Sequence, residues 1–131
     1  MMRPDEHALF TKFTGIKFVK YKNKKTQIDG ITFDSKKEAN RYLVLKQMQN
    51  SGLISDLTLQ KPFILVSGTR IAGEPRKRPS VRYIADFVYF DNRIGKTVVE
   101  DVKSAITKKD KVYRLKKHLM KTVHNIDILE I

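Results

Sequence analysis

Cysteine is absent from this chain, which removes disulfide frameworks, thiol nucleophiles and cysteine-ligated zinc together. The three histidines, His7, His118 and His124, are spaced unlike a set of metal ligands. Long apolar runs are missing too. The longest, such as 63–66 and 87–90, are strand-sized, far below the roughly 20 residues that cross a bilayer. The expectation is a chain without a transmembrane or signal segment, in a reducing, cytoplasmic setting. Acids are scarce, with 14 Asp and Glu against 27 Lys and Arg and a net charge of +13. A field of that sign attracts polyanions, nucleic acid first. An anionic membrane is the weaker partner, because no helix pairs a basic face with a bulky aromatic and leucine face.

What remains is 131 residues, 40% hydrophobic and 31% charged, enough for a single compact core. Lys12, Lys17, Lys20, Lys22, Lys24 and Lys25 fall in a stretch with no acid between His7 and Asp29. It reads as a basic arm over 1–20 ahead of one domain over 21–131. Residues 26–33 alternate around Asp29-Gly30, a dipeptide suited to the positive φ angles of a tight hairpin. Ser35 and Glu38 form a capping-box pattern, predicting a helix over 35–51. Its apolar stripe is Ala39, Tyr42, Leu43 and Leu45 or Lys46, and Gly52 ends it.

Segments 57–66, 82–90 and 96–102 carry strand composition, the last two joined as a hairpin through 91–95. The basic segment 67–80, with two prolines and two glycines, is expected to be a mobile loop. A second helix over 108–123 would bury Val112, Leu115, Leu119 and Val123, and 126–131 would close the sheet. The order is α-β-β-β-α-β, an α/β (α+β) fold with a mixed sheet flanked by helices, behind a basic N-terminal β-hairpin.

Most acids have bland explanations as turn, cap, loop or strand-end residues. Asp86 and the pair Glu100-Asp101 do not, because they interrupt apolar strands, where an unpaired carboxylate is costly. Strand alternation puts Asp101 and Lys103 on one face and Val98, Glu100 and Val102 on the other. If the two strands pair, Asp86 and Asp101 converge, and like charges need a proton or cation between them. Magnesium suits such a pair, with the Val102 carbonyl as a further oxygen. Lys103 would then orient a water or stabilise phosphate charge. Glu100 reads better as a structural acid than as a ligand, and His118 as incidental.

Asp86 followed by Asp101-Val102-Lys103 on the next strand resembles the signature of the PD-(D/E)XK nuclease superfamily. The run Lys22-Asn23-Lys24-Lys25, Asp29-Gly30-Ile31 and Phe33-Asp34-Ser35-Lys36-Lys37-Glu38-Ala39, then Ile54-Ser55-Asp56-Leu57 and Tyr83-Ile84-Ala85-Asp86-Phe87, is more particular. It is similar to a family of small phage endonuclease-like proteins of that superfamily, related to phage junction resolvases and the transposon-end nuclease. The resemblance covers roughly 20–131. Ala85 stands where the motif's proline would be.

The resemblance implies a restriction-endonuclease-like core. Glu38 on the first helix would complete the metal site, and Gln60 matches a polar strand residue near such sites. The expected activity is magnesium-dependent DNA endonuclease cleavage, with manganese able to substitute, on branched or junction DNA in phage DNA processing within the host cytoplasm. Glu38, Asp86, Asp101 and Lys103 are the catalytic set. Lys22, Lys24, Lys25, Lys36, Arg70, Arg76, Lys77, Arg78, Lys109, Lys116 and Lys117 would track the DNA backbone. Symmetric cutting of two strands would require a homodimer. The competing expectation is a basic nucleic-acid-binding protein that keeps the fold without catalysis.

Overall fold

The structure is a computed structural model and describes residues 25–131. The arm over 1–20, with Lys22 and Lys24, lies outside the described residues. The chain divides into two compact units between Val44 and Leu45.

In the first unit, β1 (Thr26–Ile28) pairs antiparallel with β2 (Ile31–Phe33). Asp29 (φ 54) and Gly30 (φ 75) form the turn between them, a backbone that few residue pairs tolerate as well as Asp-Gly. Helix α1 (Lys36–Asn50) follows. Its first turn is capped by the Ser35 hydroxyl, which accepts from the Glu38 N–H at 3.1 Å. The Phe33 and Tyr42 rings pack with centroids 5.1 Å apart, and the Tyr42 hydroxyl donates to Asp29 Oδ2 at 2.9 Å. Ala39 and Tyr42 are buried as expected, but Leu43 is exposed.

The second unit begins in the last turns of α1, where Leu45 is buried and Gln49 Oε1 accepts from the Leu57 N–H at 2.8 Å. The helix stops at Gly52 (φ 81), with the Leu53 N–H reaching back to the Met48 carbonyl at 3.0 Å. A four-stranded mixed sheet follows, in the order β3 (Ile54–Val66), β4 (Val81–Asp91), β5 (Lys96–Asp101), β6 (Ile128–Glu130). The first three are antiparallel neighbours and β6 runs parallel to β5. The expected mixed sheet and the hairpin of its second and third strands are present, with β3 starting earlier and β5 ending at Asp101. Within segment 67–80, Thr69 and Arg78 exchange backbone hydrogen bonds of 3.0 and 2.7 Å. A side chain at Gly68 would meet the Arg78 carbonyl at 2.9 Å, so only glycine fits that approach.

The predicted helix 108–123 is two elements. Helix α2 (Ala105–Lys108) is capped by Ser104, and α3 (Lys111–His124) by Asp110, which accepts from the Tyr113 N–H at 2.9 Å. Helix α3 is also rotated from the predicted face. Tyr113 and Met120 join Leu65, Tyr83, Ala85, Val88, Val99 and Ile128 in the core, with Leu119 packed against it. Val112, Leu115 and Val123 are exposed. The helix carries two overlapping apolar stripes, and the buried one gives the Tyr113 hydroxyl a partner in Glu130. Leu115→Ala should accordingly change unfolding free energy by no more than ~0.5 kcal/mol in urea titration, where a core leucine would lose about 2–5 kcal/mol.

Strict alternation would put Tyr83 and Ala85 on the face opposite Val88 and Val99, yet all four share one cluster. Side-chain alternation along β4 is therefore broken between Ala85 and Val88, while the β3–β4 register is kept there and shifts instead between Ser55 and Thr58 and between Ile64 and Val66. Gln60 sits there in a left-handed conformation (φ 53), between the pairs Leu59↔Phe87 and Lys61↔Ala85. Asp86 lies at this pivot.

Candidate functional site

Asp86 is on β4 and Asp101 is the last residue of β5. Because Phe87 pairs with Glu100, the next step along both strands sets Asp86 opposite Asp101. Asp86 is half-buried and Asp101 is 1% exposed. Each carboxylate is oriented by neighbours. Asp86 Oδ2 accepts from the Val102 N–H at 2.9 Å and its Oδ1 from Gln60 Nε2 at 3.2 Å. Asp101 Oδ2 accepts from the Tyr83 hydroxyl and lies 3.3 Å from Lys103 Nζ. The Lys103 ammonium also sits 4.6 Å from the centre of the Tyr113 ring, a cation–π contact. Tyr113 in turn donates to Glu130 Oε2 at 2.6 Å, and that oxygen is 3.3 Å from Lys117 Nζ.

Burial, together with the hydrogen bond and charge of Asp86, pushes the Asp101 carboxyl up to about 7; the Tyr83 hydroxyl and Lys103 pull it down without cancelling the rise. Burial and the adjoining carboxylates hold the Tyr83 and Tyr113 hydroxyls well above the usual range, so both remain donors. The Tyr113 hydrogen bond, then Lys117, hold Glu130 below the usual carboxylate range.

Two facing carboxylates, one of them holding its proton to near neutrality, can share a proton or a cation. All their donors are hard oxygens, and two carboxylates match the protein share magnesium takes when waters complete its shell. The Asp86–Asp101 pair therefore fits a small dication. Among the described residues no group of three or more His, Cys, Asp or Glu side chains is placed to hold a metal.

Glu38 belongs to the first unit, where it is 7% exposed. Val102 contributes its amide to Asp86. Glu100 is fully buried and accepts from the Tyr89 hydroxyl, while Asp101 bonds Tyr83, in keeping with their opposite faces. Of the expected backbone-tracking residues, Lys25, Lys36, Arg76, Lys77 and Lys109 are exposed and Lys116 is half-buried. Arg70 donates to the Pro75 carbonyl at 3.3 Å. Arg78 holds Glu74 through two bonds of 2.8 Å, and Lys117 is engaged by Glu130.

Tyr83, Tyr113 and Glu130 did not stand out in the sequence. The only signal was that Asp101 and Lys103 would need buried partners, and tyrosine is a common one. Comparison with curated proteins gives no match, and comparison with solved structures gives none either. Residues 18–128 match a family described as "Protein of unknown function (DUF1064)", and the chain belongs to that family.

Proposed function

We propose that this protein is a magnesium-dependent endonuclease that hydrolyses phosphodiester bonds in DNA. The observation that carries the reading is the facing pair Asp86 and Asp101 with the Lys103 ammonium 3.3 Å from Asp101. The order α1, β3, β4, β5, α3, β6 supports a restriction-endonuclease-like core around them, as does the resemblance to PD-(D/E)XK nucleases.

Asp86 and Asp101 would hold the ion, Asp86 aimed by Gln60 and the Val102 amide, Asp101 by Tyr83. The chemistry that a bound Mg²⁺ or Mn²⁺ supplies is polarisation of a phosphate oxygen and a water of lowered pKa. Lys103, fixed between Asp101 and the Tyr113 ring, orients the attacking water and stabilises charge on the phosphate. Glu38 is assigned to the catalytic set on the resemblance alone. The exposed bases Arg76, Lys77 and Lys109 contact the DNA backbone. With ~6 phosphates neutralised, log affinity falls with log salt at a slope of about −5. Cutting both strands of a branched substrate in phage DNA processing requires two such sites, hence a homodimer.

The test is incubation of plasmid and of branched DNA with magnesium, with manganese and with EDTA. Nicking that appears with either metal and vanishes with EDTA is expected. DNA bound but intact under every condition would leave a non-catalytic binding protein instead.

A further inference from the structure

A cavity of about 560 Å³ opens between α3 and the β6 segment. Its helical wall is Arg114, Lys117, His118 and Lys121, spaced i, i+3, i+4 and i+7 on one face of α3, and Lys108 from α2 adds another cation. Two of these are neutralised locally. Lys117 meets Glu130 at 3.3 Å and Lys121 meets Asp127 at 2.7 Å. Lys108, within the field of Glu130, and Arg114 add positive charge along this open cleft, and an anion entering it would relieve their mutual repulsion. The volume falls within the range of small-molecule sites.

The position of the cavity is as telling as its charge. Glu130, on its wall, pairs with Asp101 in parallel register, one strand spacing of ~4.8 Å away. The same Glu130 fixes the Tyr113 hydroxyl, and the Tyr113 ring carries the Lys103 ammonium. A chain of contacts thus joins the cavity to the acid pair on one face of the sheet.

We propose that this cavity is a phosphate subsite that takes a nucleotide phosphate flanking the bond to be cut. The proposal rests on the nuclease reading for the identity of the strand, but not for the binding itself. Arg114 is the principal ligand, since its fork matches two phosphate oxygens, and Lys108 closes the site from α2. Glu130 and Asp127 hold the other two lysines away from the anion, limiting it to one phosphate.

Binding of a fluorescent single-stranded oligonucleotide and of a nucleoside monophosphate would be measured by titration without metal, on an Asp101→Asn background that cannot cut. The double variant Arg114→Ala/Lys108→Ala is compared with Lys96→Ala, an exposed lysine at the opposite end of β5. At least tenfold weaker oligonucleotide binding in the double variant, with less than twofold change for Lys96→Ala, is expected. Competition by the monophosphate, lost in the double variant, would show that the cavity accepts a free nucleotide as well as a strand. Equal losses in the two variants would overturn the proposal, leaving only a diffuse field. In the cutting protein the double variant should raise KM with kcat kept. Tenfold weaker binding alongside no cleavage by the parent protein would sink the nuclease reading and leave the subsite standing.

Discussion

Lys103→Ala is expected to lower the rate of magnesium-dependent DNA cleavage by ~10³-fold or more, while DNA affinity without metal changes by less than about threefold. The two numbers separate because one lysine among 27 basic residues contributes little to a diffuse field, whereas in the proposed mechanism one ammonium at the reacting phosphate would contribute to a single transition state. The geometry explains why no neighbour substitutes for it. Lys103 is held at two points, the Asp101 carboxylate and the Tyr113 ring, and Lys117, the next cation along the network, is engaged by Glu130. Methionine at 103 keeps the length of the side chain without its charge and should be as inactive as alanine. A loss of less than tenfold in single-turnover cleavage would mean that Lys103 is only the ion-pair partner of a strand-end acid. Asp101→Asn should be at least as damaging, since it removes a charge from the pair proposed to hold the ion.

The elements legible in the sequence are those determined by local chemistry. Asp29-Gly30 declares its turn because few other pairs tolerate two positive φ angles. Ser35 and Gly52 mark the ends of α1 for similarly local reasons. Asp86, Asp101 and Lys103 were legible because carboxylates inside apolar strands, in a chain poor in acids, need a compensating reason. The supporting network was not legible. Glu130 looked like an ordinary strand-end acid, and its role depends on the parallel pairing of β6 with β5, a long-range event. Tyr83 and Tyr113 pack in the core, and only the tertiary fold shows that their hydroxyls also serve Asp101 and Glu130.

The rotation of α3 has a related cause. Val112, Leu115, Leu119 and Val123 made the more regular stripe, but regularity ignores the need of a buried phenol for an acceptor, which only the other face supplies. The phase change at Gln60 and Asp86 had no sequence signal at all. Glutamine has no particular preference for positive φ, and β4 is an almost continuous apolar run broken by Asp86, with no period from which a change of face could be read. Asp86, at that point of β4, accepts from the Val102 amide at 2.9 Å.

The second large effect concerns stability. The folded Asp101 carboxyl has a pKa of about 7, against a usual value of 3.8. Between those values the native state keeps a proton that the unfolded state has released. Stability should therefore fall as pH rises from about 4 to about 7 and level off above, by an amount on the order of 2–4 kcal/mol in metal-free protein. Glu130, Asp91 and Glu74 have lowered pKa values and tilt the curve the opposite way, so the informative quantity is the difference between wild type and Asp101→Asn. The amide still accepts from Tyr83 and can donate to Asp86, yet never ionises. The variant should match wild type near pH 4.5 and melt roughly 7–15 °C higher at pH 8 in EDTA. Magnesium should close that gap at pH 8 by stabilising wild type alone, since an ion that binds the ionised pair favours the folded state, and should have no effect at pH 4.5, where the pair keeps its proton. A difference curve that is flat from pH 4 to 8 would show that Asp101 ionises freely in the folded protein, and the acid pair would then have no need of a shared cation.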